Sequence, residues 1–386
     1  MMFMGYKRSD GRVGVRNHVL ILPAVSCSSE TARMISYQVK GTTTFTNVRG
    51  CGQIGNDAEQ TIKTLVGLGI NPNVYGVVLI GLGCETAQPY ILAQEIEDRG
   101  HKPVKTVIIQ KEGGTVRAIA KGVEYAYQMV EQASLEQRTQ CDSSQLILGP
   151  KCGGSDPTSG IAANPALGYA SDMIVNDGGT SILSETTEFI GAEHLLAKRA
   201  INKRVAAKIL EIVSNVEQEV KRLGVDLRGG NPSPGNMEGG LTTIEEKSLG
   251  CIHKGGLSPI VDVIGYADAP FARGLNIMDT PGYDVEAVTG MVAGGCQIIA
   301  FTTGLGTPLG NPVAPVIKIT GNPDIYSKML DNIDINAGTI LTGQDTIESM
   351  GLKIYDEILK VAGGKLTKAE MLGFCEAGIY QIACSV

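Results

Sequence analysis

Tryptophan is absent from this 386-residue chain, and aromatic side chains make up only 5% of it. Stacking platforms for nucleobases or sugar rings are therefore scarce, and the core has to be aliphatic. A basic excess is also lacking, because 33 Lys and Arg residues face 40 Asp and Glu residues, giving a net charge of −7. Without a basic stripe, we expect no nucleic-acid-binding surface.

Long apolar runs are missing as well. The longest, around residues 77–83, has the length of a strand, whereas a membrane span needs roughly 18 apolar residues. The first residues, MMFMGYKRSDGR, contain no apolar core of signal-peptide length. We therefore expect no membrane association and a cytoplasmic protein. Its 9 cysteines are then free thiols or metal ligands rather than a disulfide framework.

Strand-like and helix-like segments alternate along the chain, which is typical of βαβ units and parallel sheets. Residues 73–83 form a continuous apolar run, as expected for a strand buried on both faces. We predict an α/β fold with two Rossmann-like parallel-sheet regions packed together and an active-site cleft at the carboxyl ends of the strands. The polar stretch 137–144 predicts a boundary between a first domain (1–140) and a second (141–386). The Gly- and Pro-rich loop 229–240 is either a lid or a further boundary.

Four cysteines share one topological position, because each directly follows a predicted strand and precedes a helix or a Gly-rich turn. They are Cys27, Cys51, Cys84 and Cys152. In an open parallel sheet, ligands bind outside the carboxyl ends of the strands. The four thiols could therefore converge on one crevice. The alternative is that they are small buried apolar residues, as most cysteines are.

The loops that carry these cysteines contain further candidate site residues. Backbone N–H groups at the start of a helix can hold a carboxylate, so GCGQIGND and KCGGSD predict substrate contacts. None of these loops matches GxGxxG or GxxxxGK[ST], so no nucleotide site is predicted. The candidate substrate-binding residues are Gly52, Gln53, Gly153, Ser155, Asp156, Thr242 and Thr243. For any single loop residue, turn or helix-capping chemistry is the simpler interpretation.

Acid–base candidates come from three other segments. His194 stands beside Glu193 at a predicted helix start, and Glu185 follows a short strand. His194 could be a base or a metal ligand, or it could simply pack at the helix start. Lys151 and Lys254 stand next to Gly-rich turns. We take His194, Lys151, Lys254 and Glu185 as the candidate catalytic residues.

Taken together, several long motifs occur in order and resemble the altronate/galactarate dehydratase family over nearly the whole chain, from about Tyr6 to Lys368. The motifs include GRVGVRNHVLILP, GCGQIGND, GLGCE, KCGGSD, SGIAANPALG, ILSETTEFIGAEHLLAKRA, SPGNMEGGLTTIEEKSLG, MDTPGYDVEAVTGMVAGG and DINAGTI. The resemblance implies a lyase that dehydrates an aldonate or aldarate to a 2-keto-3-deoxy acid. Within the resemblance, the cysteines of GCGQ and GLGCE favour this hydro-lyase branch over its sulfolactate sulfo-lyase branch.

The resemblance also implies a divalent metal, with Fe²⁺ as the first choice and an iron–sulfur cluster as the alternative. Thiolate and carboxylate ligands suit iron or zinc better than magnesium. We assign the metal to Cys51, Cys84, Cys152 and Glu85, with Glu185 and His194 as further candidates. Members of the family begin with an additional small domain, so the resemblance implies a separately encoded small subunit or loss of that domain. We also expect a homo-oligomer.

Two other functions stay open at this stage. One is a sulfo-lyase that eliminates sulfite from sulfolactate. The other is a non-catalytic subunit that binds acidic sugars without turnover.

Overall fold

The computed structural model describes residues 1–386 and contains fourteen strands. In chain order these are β1 (Met2–Lys7), β2 (Val13–Gly14), β3 (His18–Pro23), β4 (Thr42–Thr43), β5 (Val74–Gly81), β6 (Val104–Ile108), β7 (Thr139–Asp142), β8 (Ile147–Cys152), β9 (Thr180–Leu183), β10 (Ile260–Ile264), β11 (Gly274–Met278), β12 (Ile298–Thr303), β13 (Val316–Thr320) and β14 (Ile335–Asn336).

Fourteen α-helices connect and flank these strands. They are α1 (Ser29–Gln38), α2 (Asn56–Ile70), α3 (Pro89–Gly100), α4 (Thr115–Ala133), α5 (Asn164–Asn176), α6 (Glu193–Lys198), α7 (Lys203–Arg222), α8 (Leu227–Gly230), α9 (Pro234–Glu238), α10 (Ile244–Cys251), α11 (Asp284–Ala293), α12 (Pro323–Lys328), α13 (Ile347–Ala362) and α14 (Lys368–Leu372). None of them is long and apolar enough to cross a bilayer.

Two parallel sheets form the framework of the fold. The smaller has four strands in the order β4-β3-β5-β6, and the larger has seven in the order β10-β11-β9-β8-β12-β13-β14. Every strand pair within these two sheets is parallel. The predicted α/β class with two parallel-sheet regions is confirmed. A third, antiparallel sheet, β2-β1-β7, was not predicted.

The two parallel-sheet regions share one hydrophobic core of 31 buried residues. Helix α2 of the first region packs on α11 of the second so closely that a Cβ on Gly67 would lie 2.4 Å from the Ala293 carbonyl oxygen. Two buried asparagines reinforce the contact. Asn71 donates to the Val292 carbonyl at 2.8 Å, and Asn73 donates to the Gln297 carbonyl at 2.9 Å. The proposed division at residue 140 stays an interpretation, and β7 runs across it.

The segment 229–240 is more ordered than the predicted loop, since helix α9 lies within it. Ser233 caps this helix, and its hydroxyl accepts a hydrogen bond from the Asn236 backbone N–H. The Asn236 side chain then donates to the Ser155 carbonyl at 2.9 Å. This hydrogen bond connects the segment to the loop that follows β8.

Candidate active site

The carboxyl edge of the seven-stranded sheet collects charged and thiol side chains. Strand β8 ends in Lys151 and Cys152, and Glu185 follows its neighbour β9 after one residue. From β8 the chain continues to β9 on one side, whereas from β12 it continues to β13 on the other. The loops after β8 and β12 therefore diverge, and such a switch point is where open parallel sheets bind ligands.

Three buried charges form the centre of this edge. The Lys151 and Lys254 side chains are fully buried, and that of Glu185 is 1% exposed. The Glu185 carboxylate pairs with the Lys151 ammonium through one oxygen and with the Lys254 ammonium through the other, the second at 2.8 Å. Lys151 also pairs with Asp284, at the start of α11, at 2.7 Å. We call Lys151, Glu185 and Lys254 the charged centre.

Mutual attraction keeps these groups ionised although they are buried. Burial by itself would lower the pKa of both lysines, but neighbouring negative charges outweigh it and raise the pKa. For Lys151 these charges are Glu185 and Asp284. Burial would likewise raise the pKa of Glu185, but Lys151 and Lys254 lower it. Buried charges persist only when paired in this way, and removal of one partner is strongly destabilising.

Glu185 adopts a left-handed backbone conformation with φ of 76°, which is uncommon for a residue with a side chain. The Thr280 hydroxyl holds it there by accepting a hydrogen bond from the Glu185 N–H at 2.8 Å. Backbone strain of this kind costs about 1–3 kcal/mol and is concentrated at functional sites. The conformation directs the carboxylate towards both lysines.

Two cysteines lie against the charged centre. The Lys254 ammonium contacts the Cys251 sulfur at 2.6 Å, and the Ser155 hydroxyl lies 3.0 Å from the Cys152 sulfur. A hydrogen bond from Cys251, with Lys254 and Ser155 in support, overcomes burial and lowers the pKa of Cys152 to about 6. The same hydrogen bond and burial raise the pKa of Cys251 well above its usual value. At neutral pH, Cys152 is therefore the thiolate and Cys251 the thiol.

Both cysteines line a cleft of about 240 Å³. It is lined by the loop after β8, the start of α5, helix α10 and the turn that follows α10, including Ser155, Asp156, Lys247 and His253. The lysines of the charged centre are not among the lining residues, so they act on the cleft through the two thiols. A hydrogen-bonded carboxylate, Asp156, holds the β8 loop by accepting from the Ser159 N–H at 3.0 Å and the Thr158 hydroxyl at 2.6 Å.

Sequence reasoning found part of this site. Lys151, Lys254 and Glu185 come together as candidates, and Cys152, Ser155 and Asp156 line the cleft. Gly153 adjoins the charged centre, since a Cβ there would lie 2.4 Å from the Asp284 carboxylate.

Other predicted residues lie elsewhere. The His194 side chain is exposed on α6 and does not line the cleft, so the structure gives no support to its catalytic assignment. Thr243 caps α10 by accepting from the Glu246 N–H, and the exposed Thr242 binds the Glu246 carboxylate. Both threonines therefore stabilise the start of α10, as the simpler helix-capping interpretation expected.

The predicted metal ligands are not brought together. Cys51 and Cys84 are exposed in loops of the four-stranded sheet, whereas Cys152 is buried at the edge of the other sheet. The Glu85 carboxylate accepts from the Leu82 N–H at 2.8 Å and the Gly83 N–H at 2.5 Å. No group of three or more His, Cys, Asp or Glu side chains is arranged to hold a metal ion. The set Cys51, Cys84, Cys152 and Glu85 therefore does not fit one ion.

Gly52 and Gln53 also make hydrogen bonds that do not involve the cleft. The Gly52 carbonyl accepts from the Val386 N–H at 2.8 Å. The Gln53 side-chain oxygen accepts from the Gly50 N–H at 3.1 Å. Both residues belong to the four-stranded-sheet region, away from the Cys152 loop.

Sequence reasoning missed Cys251, Asn164 and Lys247. Cys251 ends a helix, where it resembles a packing residue. Asn164 begins α5, and its side chain donates to the Cys152 sulfur at 3.7 Å. The available signal was the polar cluster IEEKSLGCIHK, which places a thiol and three basic side chains within one short helix and the turn after it.

Two family models match the chain. The model described as D-galactarate dehydratase/altronate hydrolase, second domain, matches residues 5–134. The model described as D-galactarate/altronate dehydratase, C-terminal, matches residues 143–385.

Curated relatives align over almost the whole chain. Altronate dehydratase of Bacillus subtilis is 37% identical over 98% of this chain and 77% of its own length. Galactarate dehydratase (L-threo-forming) of Escherichia coli is 39% identical over 94% of this chain and 73% of its own length. The (2R)-sulfolactate sulfo-lyase subunit beta of Chromohalobacter salexigens is 38% identical over 97% of this chain and 96% of its own length.

Proposed function

The chain belongs to the D-galactarate/altronate dehydratase family of carbon–oxygen lyases, and from that membership we propose that it removes water from an aldonate or aldarate to give a 2-keto-3-deoxy acid. The observation that carries the proposal is that two cysteines whose pKa values are shifted in opposite directions line the same cleft. A hydro-lyase needs one group that accepts a proton and another that donates one.

The first role falls to Cys152. Dehydration begins with removal of the proton at C2, which is only weakly acidic beside a carboxylate. The Cys152 thiolate lines the cleft and has a pKa of about 6, so it is ionised at neutral pH. General bases work best when their pKa lies near the operating pH. Cys152 is therefore the proposed base, in place of His194.

The second role falls to Cys251. Its pKa is raised, so it keeps a proton at neutral pH, and it lines the same cleft. It can therefore protonate the hydroxyl that leaves C3 as water. Two titratable groups whose environments push their pKa values apart are the usual sign of an acid–base pair.

The residues of the charged centre do not line the cleft, so their proposed role is to position the two thiols and to influence their charge. Lys254 contacts Cys251 and favours the thiolate of Cys152. The partly buried Lys247 lines the cleft, pairs with Glu188 at 3.0 Å, and is the nearest cation for the substrate carboxylate.

A second candidate function is elimination of sulfite from a sulfonated hydroxy acid. It is favoured by the C. salexigens relative, which this chain matches over 96% of that protein's length. The same thiols would remove a proton and release a different leaving group. That relative is a subunit, which supports the further proposal that this chain works with a small partner subunit.

The divalent metal, Fe²⁺ first, stays a proposal and no step above depends on it. Homo-oligomerisation and a cytoplasmic location also stay predictions.

One set of assays separates these functions. The purified chain, alone and with a co-expressed small subunit, is incubated with altronate, galactarate or sulfolactate. Keto-acid formation and sulfite release are measured in parallel. Keto acid without sulfite from a sugar acid supports the hydro-lyase. Sulfite from sulfolactate supports the second candidate, and binding without turnover in every condition would leave only an acidic-sugar-binding protein.

A further inference from the structure

The motif SGIAANPALG places a buried asparagine at the cleft. Its first residues, Ser159–Ala163, form a single π-helical turn, and Asn164 begins helix α5 directly after it. Turns of this kind are rare and are frequently found at functional sites. Asn164 is among the residues that line the cleft, although it is only 1% exposed. The proposed reaction leaves this residue without a role.

The Asn164 side-chain amide connects the two segments that carry the cysteines of the cleft. Its nitrogen, Nδ2, donates to the Cys152 sulfur at 3.7 Å. The same nitrogen donates to the Gly250 carbonyl oxygen at 3.0 Å, and Gly250 directly precedes Cys251 in α10. The amide therefore joins the end of β8 to the end of α10.

The orientation of this amide follows from its neighbours. A carbonyl oxygen can only accept, so the group that faces the Gly250 carbonyl has to be the amide nitrogen. The amide oxygen then faces Thr302, whose hydroxyl donates to it at 2.5 Å. Thr302 on β12 is the register partner of Cys152 on the neighbouring parallel strand β8. The sheet itself therefore places the hydroxyl that orients Asn164.

Both N–H donors of the amide are in use, because one goes to the Cys152 sulfur and the other to the Gly250 carbonyl. No donor remains for a substrate in the cleft. The backbones that the amide joins also pack closely, since a Cβ on Gly250 would lie 2.9 Å from the Gly160 Cα. Asn164 is therefore placed to act on the cysteines and not on the substrate.

We propose that Asn164 is a positioning residue that holds Cys152 and Cys251 in register across the cleft, and that Thr302 orients it. The inference rests on the proposed dehydration by these two cysteines. A base and an acid that act on one substrate have to keep a fixed separation. A misplacement of about 1 Å can cost about 100-fold in rate, so the amide contributes to catalysis without touching the substrate.

Steady-state kinetics on the sugar acid that the wild type dehydrates tests the proposal. Asn164→Asp keeps the side-chain volume but removes both N–H donors, so kcat should fall about 100-fold. KM should stay unchanged, because no substrate contact is lost. Asn276→Asp makes the same change at a buried asparagine of the same sheet, whose side chain donates to the Ala272 and Gly274 carbonyls. This matched control should retain the wild-type kcat, and urea unfolding checks the folding of both variants.

A second pair of variants does not depend on how Asn164→Asp folds. Thr302→Val removes the hydroxyl at nearly constant volume, whereas Thr302→Ser retains it. The value of kcat should therefore fall in the first and stay near that of the wild type in the second. Because both residues act through one amide, Asn164→Ala combined with Thr302→Val should lose no more kcat than Asn164→Ala alone.

Four results would overturn the proposal while leaving the proposed function in place. They are a wild-type kcat in folded Asn164→Asp, an equal loss of kcat in Asn276→Asp, a rise in KM without a fall in kcat, and fully additive losses in the double variant. Absence of turnover by the wild type on every acid tested would instead overturn the proposed function, and the positioning role with it.

Discussion

Replacement of Lys254 by methionine should shift the pH dependence of the proposed dehydratase activity to higher pH. The Lys254 ammonium lies 2.6 Å from the Cys251 sulfur and 2.8 Å from the Glu185 carboxylate, and it is fully buried. Methionine retains most of the side-chain volume and removes the charge. The change therefore tests whether this cation keeps the neighbouring Cys152 ionised.

The expected magnitude follows from Coulomb's law. A cation about 4 Å from a thiolate, at an effective dielectric constant of about 20, stabilises it by about 4 kcal/mol. That energy corresponds to about 3 pKa units and is an upper bound, because the hydrogen bond from Cys251, which lowers the pKa of Cys152 more than Lys254 does, remains in the variant. The pKa of Cys152 should therefore rise above about 6 by less than that amount, and kcat/KM at pH 7 should fall with the ionised fraction.

The assay is the pH dependence of kcat/KM for keto-acid formation. In the wild type, activity should increase as pH rises through about 6, whereas in Lys254→Met the increase should come at a higher pH. Lys318→Met is the control, because Lys318 is also fully buried but binds the Pro308 and Leu309 carbonyls outside the cleft. An unshifted profile in Lys254→Met, or an equal shift in Lys318→Met, would refute the reasoning.

Three further outcomes are expected. The pKa of Cys152 is depressed in the folded state, so its stabilising contribution is present above its ordinary pKa of about 9 and is lost as pH falls through about 6. The difference in unfolding free energy between wild type and Cys152→Ala should therefore grow from pH 6 to 9 in urea titrations, and a constant difference would contradict this. Gly153→Ala places a Cβ 2.4 Å from the Asp284 carboxylate that pairs with Lys151. The substitution should therefore cost about 1–3 kcal/mol of stability and lower kcat. A variant as stable and active as wild type would show that this contact is dispensable. His194→Ala should change kcat less than about twofold, because exposed side chains away from a site contribute little, and a loss of a hundredfold would restore His194 as a catalytic residue.

The sequence predicted the framework well where periodicity decides the outcome. Strand β5 is an apolar run buried on both faces, so its central place follows from composition alone. Strand β11, GLNIM, was missed because it is short and carries Asn276, whose side-chain amide nitrogen donates to the nearby Ala272 and Gly274 carbonyls. Such local pairing is not visible in an apolar pattern.

The candidate site was predicted in part for a topological reason. The rule that ligands bind beyond the carboxyl ends of parallel strands directed attention to Cys51, Cys84 and Cys152, but it does not say which sheet each strand joins. The structure has two parallel sheets with two carboxyl edges, and the thiols are divided between them. Cys251 could not be found by this rule at all, because it reaches the edge from the end of a helix.

The most direct test of the central claim compares two buried cysteines. Cys152→Ser removes the proposed base, whereas Cys141→Ser alters a buried thiol in the antiparallel sheet. The measurement is the rate of keto-acid formation from the sugar acid that the wild type dehydrates, with folding of both variants checked by urea unfolding. The account predicts a loss of at least about 100-fold in kcat for Cys152→Ser and near-wild-type kcat for Cys141→Ser. A folded Cys152→Ser enzyme with wild-type kcat would contradict it.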